Sequence, residues 1–299
     1  MSTPGDDVVS PPRLYLGLAM WANADWRGSL YGPRTPMTES LPDYAAYFNT
    51  VEGNTTFYSG TPKEETLDAW AHQTPDHFRF CFKLPSRVTH ERRLEGCDDD
   101  VDHFLASLRR LGPRVGPVMV QLPRDFGPRE IPRLSALLDR WPDDIACVVE
   151  PRDPAFFAKG DSERLFNRLL ISHGVDRVML DVRPLFSTRA DAGTTLFDAQ
   201  QEKPKRPLHV ISTGKNPVVR FIGHHDIEIN THYFEAWSQQ LALWISQGKT
   251  PFLFVHTPDN RYAPQLARHF VQRLAKQLGS DAGFPMPQDF IGERQEQLF

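Results

Sequence analysis

Short apolar runs recur along this chain, and seven of them end in a side chain that could take part in chemistry. Carboxylates, amines, an amide and an imidazole supply the groups that move protons and hold charged ligands. If the runs are neighbouring strands, these ends meet in one place, and we call this set of side chains the polar ring. Its members are Glu52, Lys83, Gln121, Glu150, Asp181, Arg220 and His256.

The elements that must position the polar ring are strands alternating with helices. Runs rich in apolar and β-branched residues predict eight strands, and helix-like stretches separate them. This alternation predicts the α/β class and a single (β/α)8 barrel of the TIM type over residues 13–279, whose active site would lie at the carboxyl ends of the strands. The predicted strands are Leu14–Ala19, Phe48–Glu52, Phe78–Lys83, Pro117–Leu122, Ile145–Glu150, Arg177–Asp181, Val218–Phe221 and Pro251–His256.

Side-chain alternation along a strand predicts which residues face the barrel axis. If Lys83 points inward, Phe80 and Phe82 point outward against the helices, and Glu150 pointing inward places Val149 outward. Two long connections follow the first and sixth predicted strands, on the same face as the polar ring. The second of them, residues 184–217, is too long for a simple turn and is predicted to be a lid.

Composition and charge narrow the class of protein. The chain has 299 residues and a formal net charge of −4, which gives no global attraction to nucleic acid. No apolar stretch approaches the roughly 18–20 residues of a membrane span, the first residues lack the pattern of a secretory signal, and three scattered cysteines suggest no disulfide or metal spacing. A cytoplasmic protein is expected, with residues 1–12 disordered and residues 280–299 a polar, loosely ordered tail.

Lys83 is the strongest single candidate in the polar ring. A lysine withdrawn from water at a strand end can act as a base, form a Schiff base or hold an anion. Glu52 and Gln121 on adjoining strands would orient it and favour its protonated form, so we expect Lys83 to act as an electrophile or anion holder. A structural ion pair between Lys83 and Glu52 is the alternative.

Two consecutive predicted strands carry an acid followed two residues later by an arginine. These pairs are Glu150 with Arg152 and Asp181 with Arg183. Acid and arginine would point the same way, with the arginine closer to solvent. Such a pair could grip a phosphate or carboxylate while Glu150 or Asp181 carries a proton, or each arginine could simply orient its own acid.

Loop residues above the ring could complete a binding site. Asn54 follows the second predicted strand and offers an amide, His90 offers an imidazole at the rim, and Trp21 lies in the first long connection. An aromatic wall with such polar groups suits the stacking of a sugar or a base, although aromatic loop residues also serve simply to pack a loop onto the fold.

Motifs spread over most of the chain resemble domain-of-unknown-function family 72, the YecE-like proteins. They are WANADWRGSLYG, FNTVEGNTTFY, FRFCFKLPSRVTHERRL, QLP, VVEPRDPAFF and HTPDNRYAP, and the resemblance runs from about residue 14 to about residue 278. The resemblance implies a TIM-type barrel with no established activity. The chain departs from the family pattern at Leu18-Ala19-Met20, where a glycine-rich turn is common, and at 256–259, where many members carry an asparagine pair.

Metal dependence is one alternative chemistry. Glu150, Asp181 and His256 could hold a divalent ion, but Lys83 and Arg220 at the same level would repel it, and no HxH or HExxH pattern is present. We therefore expect neither metal nor cofactor.

The sequence predicts an enzyme, a lyase, isomerase or hydrolase, that acts by acid–base chemistry on a small anionic ligand bearing phosphate or carboxylate, with sugar-derived compounds as one class. Glu150 and Asp181 would carry protons, His256 would be a second acid or base, and Arg220 would join Lys83 and Arg152 in holding the anion. The alternatives are a metal-dependent phosphoesterase or nuclease, a barrel that binds nucleic acid or protein without turnover, and a purely structural ion network.

Overall fold

The computed structural model describes residues 14–278 and 289–296. Strands form close to all eight predicted positions, because each run combines β-branched or aromatic residues with burial on both faces. The strands are β1 (Tyr15–Leu18), β2 (Thr50–Gly53), β3 (Arg79–Phe82), β4 (Val118–Gln121), β5 (Cys147–Glu150), β6 (Asp176–Asp181), β7 (Val218–Ile222) and β8 (Phe252–His256).

Helices lie between the strands and pack on their outer faces. The α-helices of the described residues are α1 (Ser40–Ala45), α2 (Thr55–Ser59), α3 (Glu64–Gln73), α4 (Asp98–Leu108), α5 (Ile131–Asp139), α6 (Asp161–Ser172), α7 (Thr195–Glu202), α8 (Ile227–Ser246), α9 (Ala263–Leu278) and α10 (Ile291–Glu296). Short 3-10 turns and one π-helical turn, Arg87–Glu91, interrupt the connections.

The prediction of a closed (β/α)8 TIM-type barrel is wrong. The strands form an open, curled six-stranded parallel sheet in the order β1-β8-β7-β6-β5-β4, and β2 pairs with β3 in a separate two-stranded parallel sheet. The fold is therefore a half-barrel whose edge strands, β1 and β4, lie beside β2 and β3 of the smaller sheet, and the backbone ladder is interrupted at these two seams.

At the first seam, side chains occupy the backbone groups that a β1–β2 ladder would use. The Asn49 amide accepts from the Leu16 N–H at 2.8 Å and donates to the Leu14 carbonyl at 2.9 Å. The Tyr44 hydroxyl accepts from the Leu18 N–H at 2.8 Å and donates to the Thr50 carbonyl at 2.9 Å. Because these bonds already satisfy the edge of β1, the two strands lie side by side without pairing.

At the second seam, β3 and β4 meet at isolated bridges. The Gly116 N–H donates to the Phe80 carbonyl at 2.9 Å, and the Leu84 N–H donates to the Met119 carbonyl at 3.0 Å. A side chain at Gly116 would bring its Cβ to 2.9 Å from the Phe80 carbonyl oxygen, so this close approach requires glycine. The two sheets thus touch here without a continuous ladder.

The inward and outward faces follow the predicted alternation. Phe80 and Phe82 belong to the large apolar core between strands and helices, as does Val149. A second apolar cluster fills the concave interior below the polar ring, and it consists of Tyr15, Cys81, Met119, Val148, Val178, Val218, Phe252 and Phe254. The polar ring therefore lies directly above this second cluster, which we call the apolar floor.

Residues 289–296 pack against the main body. Phe290 is fully buried and packs edge-on against the Tyr47 ring, with centroids 5.1 Å apart. Arg268 of α9 pairs with Glu293 at 2.6 Å. An apolar anchor and an ion pair thus hold this segment on the main body. Residues 1–12, predicted to be disordered, lie outside the described residues.

Two further observations concern the described part of the chain as a whole. None of its helices is both long enough and apolar enough to cross a membrane. Cys81, Cys97 and Cys147 are buried free thiols. The predicted cytoplasmic location stays a prediction.

Candidate functional site

Glu52 is the centre of the polar ring. Its Oε1 lies 3.0 Å from Lys83 Nζ and 2.8 Å from Arg220 Nη2. Its Oε2 accepts from Arg220 Nε at 2.8 Å and from His256 Nε2 at 3.1 Å. The side chain has no solvent exposure, so three buried donors from β3, β7 and β8 converge on one carboxylate of β2.

Arg220 extends the network across the concave face. Its Nη1 donates to Glu150 Oε2 at 2.8 Å, and the other Glu150 oxygen accepts from Arg152 Nε at 2.7 Å. Lys83 Nζ also donates to Gln121 Oε1 at 3.0 Å. Six of the seven predicted ring residues therefore form one connected cluster at the carboxyl ends of the strands.

Asp181 is the seventh, and the structure does not bring it to the cluster. In the β6–β7 register Leu180 lies opposite Arg220, so Leu180 takes the inward position and Asp181 faces α8. Its Oδ2 accepts from Trp237 Nε1 at 2.7 Å, and both oxygens accept from Arg183. The inward residue of the VMLD run is therefore Leu180, one position before the expected Asp181.

The two clustered carboxylates remain ionised at neutral pH. Burial opposes ionisation, but Arg220, Lys83 and His256 outweigh it and hold the pKa of Glu52 well below its usual range. Burial likewise raises the pKa of Glu150, and Arg152, Arg220 and Lys83 outweigh it and bring that pKa to about 2. A group that binds a proton only near pH 2 is poorly matched to proton transfer at neutral pH, so Glu150 anchors Arg152 and Arg220 instead.

Lys83 and His256 are the members of the cluster whose protonation is most easily changed. Burial, reinforced by Arg220, lowers the pKa of Lys83 to about 8 against the opposing effect of Glu52. Burial lowers the pKa of His256 to about 4 in spite of Glu52, so His256 is neutral at pH 7. With a pKa of about 8, Lys83 is mostly protonated at pH 7, with a minor fraction of free amine.

A cavity of about 410 Å³ opens above the cluster. Lys83, Gln121, Arg220 and His256 form its floor, while Glu52 and Glu150 lie beneath them and do not line it. These two carboxylates therefore face the protein, and the cavity is lined by the cations Lys83, Arg152, Lys203 and Arg220 together with the carboxylate of Glu202. The excess of cations favours an anionic occupant.

Lys203 adds a cation that the sequence reasoning missed. It follows α7 within the 184–217 connection and lines the cavity. Within residues 14–278 and 289–296, no carboxylate lies within ion-pair distance of its side chain. Burial and then the nearby Arg220 lower its pKa. The residue belongs to the basic run EKPKRP, residues 202–207.

Other predicted site residues divide into two groups. Asn54 and His90 line the cavity; the Asn54 amide donates to the Ala19 carbonyl at 2.9 Å, and the His90 ring packs edge-on against Phe57 at 5.0 Å. Phe57 and the exposed Tyr58 form the aromatic part of the wall.

Two predicted residues lie elsewhere. Trp21 packs against Trp70 and Phe80, with ring centroids 5.1 and 5.9 Å away, because its loop folds down onto the helix side of β3. Arg183 pairs with Asp181 and lies over the Tyr233 ring, 5.2 Å from its centroid. Neither is among the described residues that line the cavity.

The structure gives no additional observation for the two alternative functions. Among the described residues, no group of three or more histidine, cysteine, aspartate or glutamate side chains is arranged to hold a metal ion. Residues 86–93, SRVTHERR, form a basic run whose charge is neutralised by neighbouring carboxylates. Arg93 pairs with Glu130 at 2.7 Å and Arg92 with Asp100 at 3.0 Å. Paired arginines of this kind make a weak surface for nucleic acid.

A larger depression, of about 770 Å³, lies at the opposite, amino-terminal end of the strands. Arg79 and Lys249 line it, together with Tyr15 and Phe252 of the apolar floor. Lys249 donates to the Ser212 hydroxyl at 2.7 Å. A single buried carboxylate, Asp176, lies near this depression, where it accepts from the Gly214 and Asn216 backbone N–H groups. The polar ring instead joins six polar side chains in one cluster, so we place the candidate site at the carboxyl ends.

Comparisons with known proteins agree with the resemblance of the motifs. The family model described as "Protein of unknown function DUF72" matches residues 15–289. UPF0759 protein YecE of Escherichia coli K12 is 44% identical over 272 residues, which cover 91% of this chain and 96% of that protein. UPF0759 protein YunF of Bacillus subtilis is 28% identical over 155 residues, 48% of this chain and 52% of that protein.

Solved structures share the fold. A DUF72 family protein from Enterococcus faecalis V583 superimposes with a TM-score of 0.66 at 18% identity, covering 88% of this chain and 95% of that one. A DUF72 family protein from Thermotoga maritima MSB8 gives a TM-score of 0.65 at 20% identity, covering 87% and 98%. The predicted family membership is thus confirmed, and these names assign no reaction.

Proposed function

The chain belongs to the DUF72 family, and we propose that it is an enzyme that binds a small anion bearing phosphate or carboxylate and acts on it by acid–base chemistry. The observation that carries this proposal is Lys203, which lines the cavity with no described carboxylate within ion-pair distance, although Glu52 and Glu202 act on it from further away. A partly desolvated charge without a close partner is costly, and an anionic ligand in the cavity would supply one.

The anion would be held from two sides. Arg152 lines the cavity wall and donates its Nε–H to Glu150, and Arg220 and Lys83 form the floor. Charge-assisted hydrogen bonds from such donors strengthen as water leaves the cavity. The anionic end of the substrate would therefore sit between Lys203 and Arg152.

Lys83 would carry the proton. Its pKa of about 8 leaves roughly one molecule in ten with a free amine at pH 7, which is enough for a general base and keeps a general acid available. Neutral His256, joined to Lys83 through Glu52, would assist by holding Glu52 in place and by accepting a proton when the network is perturbed. Asp181 has no part in this scheme, because its carboxylate faces α8.

Anion binding at Lys203 is the step to test first. Titration calorimetry with inorganic phosphate and with a panel of sugar phosphates would be done on the wild type, on Lys203→Met and on Lys205→Met. Lys205 is the matched control, because it is exposed, lies two residues away and carries the same charge. We expect K203M to bind about tenfold or more weakly, the loss of one charge-assisted bond of about 1.5 kcal/mol, while K205M binds as the wild type does. Equal affinities of K203M and K205M, or no binding of any anion by the wild type, would refute the proposal.

A further inference from the structure

We propose that Lys83 forms a Schiff base with a small aldehyde or ketone that carries the anionic group. This inference rests on the proposed function, which supplies the anion site, and deepens it by naming the reacting group of the substrate. The site is the ammonium of Lys83 at the cavity floor, 3.0 Å from Glu52 Oε1 and 3.0 Å from Gln121 Oε1.

The first argument is the position of the amine. Only 5% of Lys83 is exposed, yet the residue lines the cavity. Glu52 and Gln121 each lie 3.0 Å from its Nζ and fix the side chain, while the residue still lines the cavity that a ligand would enter. A nucleophile needs this combination of rigid orientation and access.

The second argument is the choice of residue. Arginine would hold an anion more firmly than lysine, since it stays protonated and offers a planar fork, and the cluster already uses Arg152 and Arg220 in that way. A lysine that is desolvated beside another cation is instead the arrangement that releases a free amine for attack on a carbonyl. Burial and Arg220 produce this environment at Lys83.

The third argument is charge balance. The amine adds to the carbonyl carbon to form a carbon–nitrogen bond, and a proton moves from nitrogen to oxygen to give the carbinolamine. Loss of that hydroxyl as water, with the proton that the ammonium first released, leaves a protonated imine. Ammonium plus carbonyl thus becomes iminium plus water, with no oxidant or reductant and no change in charge. The positive charge that Glu52 neutralises is therefore restored once the iminium has formed, so the buried network is compensated both before the reaction and after it.

Reductive trapping would test the inference. The protein would be incubated with dihydroxyacetone phosphate, glyceraldehyde 3-phosphate or pyruvate in the presence of cyanoborohydride at a series of pH values from about 6 to 9, and digested for peptide mass mapping. Lys249 is the internal control, since it is a part-buried lysine on the opposite face. We expect at least one probe to label Lys83 tenfold or more faster than Lys249, with a rate that levels off above pH 8.

Two variants keep the result interpretable. Lys83→Arg keeps the charge beside Glu52 but cannot form an imine, so it should remain folded and show no label at position 83. Lys203→Met should lower the labelling of Lys83 by an anionic probe while leaving labelling by uncharged acetone unchanged. Labelling of Lys83 no faster than that of Lys249 with all three probes would overturn the Schiff base. In that case phosphate binding that depends on Lys203 would still stand, which separates this failure from a failure of the proposed function.

Discussion

Replacing Glu52 by glutamine would test the organisation of the polar ring most directly. The change keeps the shape of the side chain but removes the charge shared by Lys83, Arg220 and His256, and it turns an amide N–H2 toward a guanidinium. Removing one partner of a fully buried ion pair leaves the other charge uncompensated and costs about 3–5 kcal/mol. That is a large part of the roughly 5–15 kcal/mol by which a domain is stable.

Urea unfolding followed by tryptophan fluorescence and by circular dichroism would measure the loss. Asp144→Asn is the matched control, because Asp144 forms an equally short ion pair with Arg109, at 2.7 Å, but on the exposed surface. Its cost should stay below about 1 kcal/mol. A double-mutant cycle with Lys83→Met should show that the two changes at the ring are not additive, by about 1 kcal/mol or more, since K83M removes one of the uncompensated cations. A loss for E52Q no greater than that for D144N would refute the description of Glu52 as the centre of a desolvated network.

Three further predictions address other parts of the structure. Because the pKa of Glu150 is lowered from 4.5 to about 2, the stability that ionised Glu150 contributes is complete above pH 4.5 and is lost as the pH falls toward 2. Over that window the free energy of unfolding should fall by about 3 kcal/mol more for the wild type than for Glu150→Gln. Asp181→Asn should lower the free energy of unfolding by about 1–3 kcal/mol through its bond to Trp237 and leave phosphate affinity unchanged, and an equal loss of affinity would return Asp181 to the site. Asn49→Ala should speed hydrogen exchange of the Leu16 amide without affecting strands far from the seam, whereas unchanged exchange would show that the seam does not depend on Asn49.

The positions of the strands could be predicted from the sequence, because burial on both faces leaves a plain apolar run. The closure of the sheet could not. Whether β1 pairs with β2 depends on two residues, Tyr44 in α1 and Asn49 directly before β2. Their side chains form hydrogen bonds with the backbone groups of β1 that a ladder to β2 would use. Neither residue differs in type from ordinary loop or helix residues, so no local pattern marks the break.

The site was predictable wherever the last residue of an apolar run also faces the interior. That condition holds for Lys83, Glu150 and His256, each of which is two residues beyond a member of the apolar floor. It fails at Asp181, since Val178 is the floor residue of β6 and the inward position above it belongs to Leu180. Counting two residues forward from Val178 gives Leu180 as the inward residue, whereas counting back from the polar end of the run gives Asp181. The sequence alone does not show that Val178 belongs to the apolar floor, because that depends on the fold.

The energetics of Lys83 argue against a purely structural role for the ring. A pKa lowered from 10.5 to about 8 means that folding disfavours the charged lysine, by about 3 kcal/mol at neutral pH. Arg220 alone already satisfies both oxygens of Glu52, and an apolar residue in place of Lys83 would avoid this cost. The proposed Schiff base would account for this cost, because that reaction requires an amine that can lose its proton. Lys83, whose burial lowers stability, is thus also a residue that lines the cavity.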